Sequence, residues 1–440
     1  VGHDYVWNEE RARDRHLKPG GPKRLLAIDG GGIRGLLSCG ILKSIEDTLR
    51  ARLPTAEERE RFVLADYYDF IGGTSTGSIV AAWLATGRPV SELRELYLSM
   101  GPAIFGKSRP WGMVFNNKFD AEELSKQLQT HLQDITLDSD DLVTGFGVSA
   151  KRMDTGSGWL LANNPRAPYW DGDSRNLPNA GLPVREMVRA SAAAPAYFDH
   201  VSVAIEHESA PGAFMDGAVA GLNNPSMAFW LYVTSPGYGL GWKTGEHELL
   251  ITSVGTGEYR QRFTDRHLKR MPAIQRAIFS LAGSIQDVVR NQVQTMQALS
   301  RPLSPYPINS EVDFLAGPDE KLRGEGHAHC IVERPLFSFQ RFDVRLDAGG
   351  LAAMGVTDNG EAYGPRMIRN LQAMDCATPV NLKRLCDIGE AAGKLRVRGE
   401  HFPAAFNTPA MAGNANVALS LGEDTRRQVG RTSRGRWRST

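Results

Sequence analysis

Asp69-Phe70-Ile71-Gly72-Gly73-Thr74-Ser75-Thr76-Gly77-Ser78-Ile79-Val80-Ala81-Ala82-Trp83 is the stretch on which the reading of this 440-residue sequence turns. Its apolar start reads as a buried strand, Gly73-Thr74-Ser75-Thr76-Gly77 as a tight G-x-S-x-G turn, and its small apolar end as a helix. Such a turn lifts the serine hydroxyl clear of the backbone, at a helix N-terminus whose amides and dipole favour developing negative charge. A side chain at Gly73 or Gly77 would hold strand and helix apart. The same residues also fit an ordinary strand-to-helix connection in which Ser75 caps the helix. Partners elsewhere in the chain have to decide.

Upstream, Arg24-Leu25-Leu26-Ala27-Ile28 is a short apolar run that enters Asp29-Gly30-Gly31-Gly32-Ile33-Arg34-Gly35; Leu36, Leu37, Gly40, Ile41, Ile45 and Leu49 then repeat at helical spacing. Strand, glycine turn and helix in this order suit an anion. The turn also spells G-x-G-x-x-G, but a dinucleotide fingerprint needs a second strand ending in an acid about twenty residues on, and the polar Pro54 to Arg61 stands there instead.

Downstream, Ser91 to Phe105, Ala121 to Leu132 and Pro183 to Ala193 read as helices, and Gly145 to Ala150 as a strand. The long loop Asn163 to Pro183 is placed to border a site. Gly212 to Val219 gives a strand that stops on Asp216 before the small residues Gly217 and Ala218, so its carboxylate can face a crevice. Leu249 to Gly257 is another buried strand with a glycine turn. Three strands ending in glycine-rich turns indicate an α/β fold with a mostly parallel sheet. Residues 268–300 form the longest helical pattern; its apolar stripe reads as core, with a second copy of the chain or a membrane surface as competing occupants. Ser338 to Leu346 alternates like a strand and Leu382 to Val397 is helical.

A formal charge of +1 supplies no global field for a nucleic-acid polymer. No run of about 18 apolar residues is present, so a spanning helix is not expected; nor does the charged Val1 to Gly21 have the order of a secretory leader. Cys39, Cys330, Cys376 and Cys386 lack paired spacing and read as inert thiols of a reducing compartment. His327-Ala328-His329-Cys330 could present two imidazoles on one face, but no second ligand cluster accompanies it, and no metal or cofactor is expected. Residues 1–22 read as a loosely docked polar arm, 23–400 as the folded domain, and 401–440 as a flexible tail ending in Arg426, Arg427, Arg431, Arg434, Arg436 and Arg438.

Asp29-Gly30-Gly31-Gly32-Ile33-Arg34-Gly35, Gly73-Thr74-Ser75-Thr76-Gly77 and Asp216-Gly217-Ala218, with Ser191-Ala192-Ala193-Ala194-Pro195-Ala196-Tyr197-Phe198 between the last two, together resemble the patatin-like phospholipases. Asp-Gly-Ala stands where many members carry Asp-Gly-Gly, which leaves the carboxylate in place. The resemblance implies a three-layer α/β sandwich, its central mostly parallel sheet flanked by helices, with additional C-terminal elements. It implies a lipid acyl hydrolase without cofactor, acting on phospholipid or another acyl lipid, cytoplasmic with peripheral membrane contact. Ser75 would be the nucleophile and Asp216 its base, with Gly31, Gly32 and Arg34 at the oxyanion. Similarity to bacterial members leaves room for a membrane-damaging effector, a cyclic-nucleotide or protein activator, and a homo-oligomer. Two rivals stay open. One is a Ser-Asp-His triad using His247, His267, His327, His329 or His401; the other is a non-catalytic phosphate binder in which Ser75 only caps its helix.

Overall fold

The computed structural model describes residues 5–105, 121–195, 197–207, 210–259, 263–304 and 330–412. Its centre is the apolar run after the first glycines, strand β1 (Lys23–Ile28), flanked by β2 (Phe70–Thr74) and β7 (Leu249–Val254), both parallel to it. With β3 (Gly145–Arg152), β4 (Ser157–Ala162), β5 (Val201–Val203), β6 (Gly212–Asp216), β8 (Arg301–Ser304) and β9 (Ser338–Phe342) these make a nine-stranded sheet. Its order is β5-β6-β3-β2-β1-β7-β9-β8, with β4 paired to β3 off that path. The pairs from β3 through β2, β1, β7 and β9 to β8 are parallel; β4, β5 and β6 pair antiparallel.

The period of two along β1 sorts its side chains between two cores. Leu26 and Ile28 join one with the helices Gly35–Arg50, Thr76–Ala85 and Val90–Phe105 and the helix Pro379–Arg396. Leu25 and Ala27 join the other with Phe229, Trp230 and Val233 of the helix Ser226–Thr234 and with Val289, Val293 and Met296. Helices thus cover both faces of a mostly parallel sheet, the layering expected.

Several expectations change. Residues 5–22 of the N-terminal arm are docked, not loose: Ala12–Leu17 is a helix whose Arg13, Asp14 and Leu17 are buried. Arg13 Nη1 reaches Asp138 at 2.9 Å, and Trp242 Nε1 donates to the Leu17 carbonyl at 2.9 Å. Its polar composition concealed these contacts because each buried charge has a partner. At the other end, Phe402, Phe406 and Met411 are buried, so packing continues past 401; the arginines from 426 on lie outside the described residues. The helical pattern of 268–300 is broken at Pro272 into Asp265–Arg270 and Ala273–Ala298, since proline lacks the donor that would continue the first helix.

Candidate active site

The register of β3 explains how positions 75 and 216 meet. β4 occupies one edge of β3 from Gly147 to Arg152, which leaves the other edge to β2 and β6. β2 pairs there as far as Thr74 with Ser149, and β6 begins at the next step, Asp216 with Ala150. The two strands therefore abut along one edge, and the residue following Thr74 faces Asp216. Ser75 and Asp216 line the same cavity, and the Ser75 side chain is near enough to help hold the carboxyl in its charged form.

Ser75 holds φ 54° and ψ −125° between β2 and its helix. A non-glycine residue there is strained, at a cost of about 1–3 kcal/mol, and needs support from its surroundings. Ser191 Oγ accepts from the Ser75 amide at 2.8 Å and donates to the Ser149 carbonyl at 2.7 Å. Ser78 Oγ donates to the Ser75 carbonyl at 2.6 Å. The close approach demands the flanking glycine: a Cβ on Gly77 would lie 2.2 Å from the Ile28 carbonyl oxygen.

Asp216 is 3% exposed. Burial pushes its carboxyl up to about 6, against the opposing pull of a hydrogen bond from the Ala218 amide, 2.9 Å away, and of the Ser75 side chain. Its own amide donates to the Ala193 carbonyl at 3.1 Å, which explains the small residues at 191–194: backbone meets backbone there.

The glycine turn is the third component. Thr256 Oγ1 donates to the Gly30 carbonyl at 2.7 Å, and Asn223 Nδ2 does so at 3.4 Å. Arg34 Nε donates to the Gly31 carbonyl at 3.3 Å. Because C=O and N–H of a trans peptide point opposite ways, these bonds turn the Gly31 and Gly32 amides to the other side of the turn. The Arg34 guanidinium donates from Nη1 to the Gly257 carbonyl at 3.0 Å and lies over Tyr259, and the residue lines the cavity beside Gly31 and Gly32. Gly32, at φ +59°, takes a conformation that favours glycine, and the following Ile33 amide donates to the Met374 carbonyl at 2.8 Å.

Beneath the turn, Asp29 is gripped by both terminal nitrogens of Arg341, at 2.8 and 2.7 Å, and Arg341 also reaches Asp343 at 2.6 Å. All three side chains are buried. Burial outweighs Arg341 and raises Asp29 to about 6. Asp343 in turn accepts from the Gly257 amide at 2.8 Å. Residues from three distant parts of the chain thus tie the turn to β7 and β9.

A cavity of about 210 Å³ opens over Ser75, lined by the glycine turn, Asp216 and a mostly apolar wall that includes Met100, Ile104, Phe105, Leu124 and Phe198. Ile278, Leu281 and Ile285 of the helix Ala273–Ala298 close one side. Part of the stripe read as core thus faces the site, while Val289, Val293 and Met296 farther along reach the core. The loop 163–183 contributes nothing to the cavity; Asn163 and Asn164 are instead buried in bonds to Phe146, Thr144 and Tyr238. Among the described residues no histidine lines the cavity, and no group of three or more acidic, histidine or cysteine side chains could hold a metal. His327 and His329 lie outside the described residues. Ser191, Asn223, Thr256, Arg341 and Met374 were not singled out by sequence reasoning; only Ser191, at the head of a small-residue run, carried a signal.

Among the described residues no helix is long and apolar enough to cross a membrane. Residues 26–230 match the family model for patatin-like phospholipase. Patatin-17 of Solanum cardiophyllum is 29% identical over 268 residues, covering 57% of this chain and 65% of that protein. Patatin group J-1 of Solanum tuberosum is 30% identical over 248 residues, covering 53% and 60%. The chain thus spans 65% or less of the length of these curated relatives. Human GIVD cytosolic phospholipase A2, solved with methyl gamma-linolenyl fluorophosphonate, aligns over 91% of this chain and 60% of its own, at 10% identity and a TM-score of 0.39.

Proposed function

We propose, from the match of residues 26–230 to the patatin-like phospholipase family model, that this protein is a serine hydrolase of acyl lipids working through Ser75 and Asp216. The observation that carries the reading is the juxtaposition of Ser75 and a buried Asp216 in one mostly apolar cavity that Gly31 and Gly32 also line. In the first half-reaction Ser75 Oγ bonds to the ester carbonyl carbon while its proton passes to Asp216. The carbonyl oxygen becomes an oxyanion held by the Gly31 and Gly32 amides. Collapse breaks the bond to the alcohol oxygen, which takes the proton from Asp216. Water then attacks the acyl-enzyme carbonyl carbon and gives a proton to Asp216; collapse breaks the bond to Ser75 Oγ, which takes that proton back as the fatty acid is released. An ordinary aspartate is a feeble base at neutral pH; one raised to about 6 is a stronger base and still mostly ionised at pH 7. The apolar wall suits an acyl chain, and Arg34 acts by fixing the Gly31 carbonyl.

A cavity without a histidine among the described residues favours the dyad over a triad. The test is release of fatty acid from phospholipid vesicles and of p-nitrophenol from p-nitrophenyl butyrate. Ser75→Ala is expected to reduce both at least about a thousandfold. Undiminished hydrolysis by that variant, or none by the wild type, would overturn the reading.

A further inference from the structure

We propose that residues 264–286 dock on an anionic phospholipid bilayer and set the cavity mouth against it, a step that rests on the lipid-hydrolase reading above. The helix Ala273–Ala298 is built in two halves. Val289, Val293 and Met296 of its C-terminal half are buried in the core. Its N-terminal half overhangs the site: Ile278, Leu281 and Ile285, three and four residues apart, form one face along the cavity, and Leu281 is still 42% exposed. An apolar rim at a cavity mouth that remains open to water is poorly accounted for by core packing.

The preceding helix Asp265–Arg270 buries none of its residues, and Leu268 is 41% exposed. It is not adrift. Phe263 stacks on His267 with ring centroids 5.5 Å apart and packs against Phe279 at 5.1 Å, which fastens the short helix beside the overhang. Its charge then selects the occupant. From 264 to 286 the sequence has four basic residues, Arg266, Lys269, Arg270 and Arg276, and one acidic residue, Asp265. The whole chain carries a formal charge of +1, so this excess is local. Exposed leucines next to an arginine- and lysine-rich turn form an interfacial surface: the apolar groups enter the acyl boundary while the cations meet anionic headgroups. A bilayer seated there would deliver its acyl ester to the cavity from the side that Leu281 and Ile285 form.

The experiment separates docking from chemistry by using Ser75→Ala protein, which cannot consume the vesicles. Co-sedimentation with mixed phosphatidylglycerol–phosphatidylcholine vesicles is expected at low salt, with much weaker binding to pure phosphatidylcholine and loss at high salt. Combining Arg266→Glu, Lys269→Glu and Arg270→Glu should weaken binding at least about tenfold, and Leu268→Glu should weaken it as well. On the Ser75 background the same charge reversals should leave p-nitrophenyl butyrate hydrolysis unchanged, which shows that the protein is folded and the site intact. Equal binding to neutral vesicles, or full binding by the charge-reversed protein, would overturn the proposal. So would charge-sensitive self-association without vesicle binding. Vesicle binding by a wild type that hydrolyses no ester would remove the hydrolase reading and leave the docking surface standing.

Discussion

Asp216→Asn should do two opposite things, and the pair is more telling than either. The amide keeps the size of the side chain and an oxygen to accept from the Ala218 amide at 2.9 Å, but it cannot take a proton from Ser75. Loss of a general base costs about 10²–10⁴ in rate. The same change should stabilise the protein in alkali. Asp216 is raised by burial from 3.8 to about 6. A carboxyl whose folded value exceeds its unfolded value favours the folded state fully only below pH 4, where it is protonated in both; that advantage is lost as the pH climbs through 6. Above that, the native state carries a penalty of about 3 kcal/mol that asparagine does not.

Thermal melts and denaturant titrations of both proteins at pH 4 and pH 8 measure this directly. Packing changes introduced by the amide enter at both pH values and cancel in the comparison. The stability difference, variant minus wild type, should therefore rise by up to about 3 kcal/mol from pH 4 to pH 8. A difference that stays flat would mean Asp216 is not the strained acid described above. Hydrolysis within about tenfold of wild type would mean that it is not the base.

Other consequences are as specific. Wild-type kcat/KM should fall below about pH 6 with a slope of one proton, since a protonated Asp216 cannot accept from Ser75; a flat profile down to pH 5 would contradict the assignment. Gly77→Ala puts a methyl 2.2 Å from the Ile28 carbonyl oxygen, backbone that cannot step aside, and should cost about 2 kcal/mol or more in a chemical melt. Gly31→Ala would bring Cβ to 2.2 Å from Thr256 Oγ1, displacing the amide at the turn, with an expected loss of about 100-fold in kcat and little change in KM. Arg341→Gln leaves Asp29 and Asp343 buried without their shared cation, and about 3–5 kcal/mol of stability should go at pH 8. Part of it should return at pH 5, because Asp29, already raised by burial and now without its cation, binds a proton on folding; equal loss at both pH values would argue against this network.

What could be read without coordinates follows from how local each signal is. Gly73 to Gly77 and Asp29 to Gly35 announce themselves because strand, turn and helix follow one another in the chain, so backbone sterics alone demand those residues. Asp216 was legible as an acid between a strand and small residues. Its meeting with Ser75 was not, since that depends on β2 and β6 sharing one edge of β3, a register 60 to 140 residues removed in sequence. Arg341, Thr256 and Met374 are ordinary residues in ordinary contexts, and only their distance in space to Asp29, Gly30 and Ile33 gives them a role. The stripe of 268–300 misled for a different reason: helical spacing says that a face is covered, and a cavity wall covers it as well as a core does.

Two costly choices line the same cavity: a serine held at φ 54° and a carboxylate kept from water. Neither helps the fold. A glycine at 75 would relax the backbone, and an asparagine at 216 would end the burial penalty. The surroundings nevertheless invest in holding both as they are, through Ser191 and Ser78 on the serine and the Ala218 amide on the acid. The same holds for the turn above them. Its Ile33 amide is met by Met374 and its leading Asp29 by Arg341, residues well beyond position 230 where the family match ends. Stability spent at one point and restored by contacts from all over the chain is the pattern expected where geometry serves chemistry rather than folding. It also explains why the C-terminal third of the described chain is packed against the motifs: its backbone and buried charges hold the turn in the shape that the proposed chemistry requires.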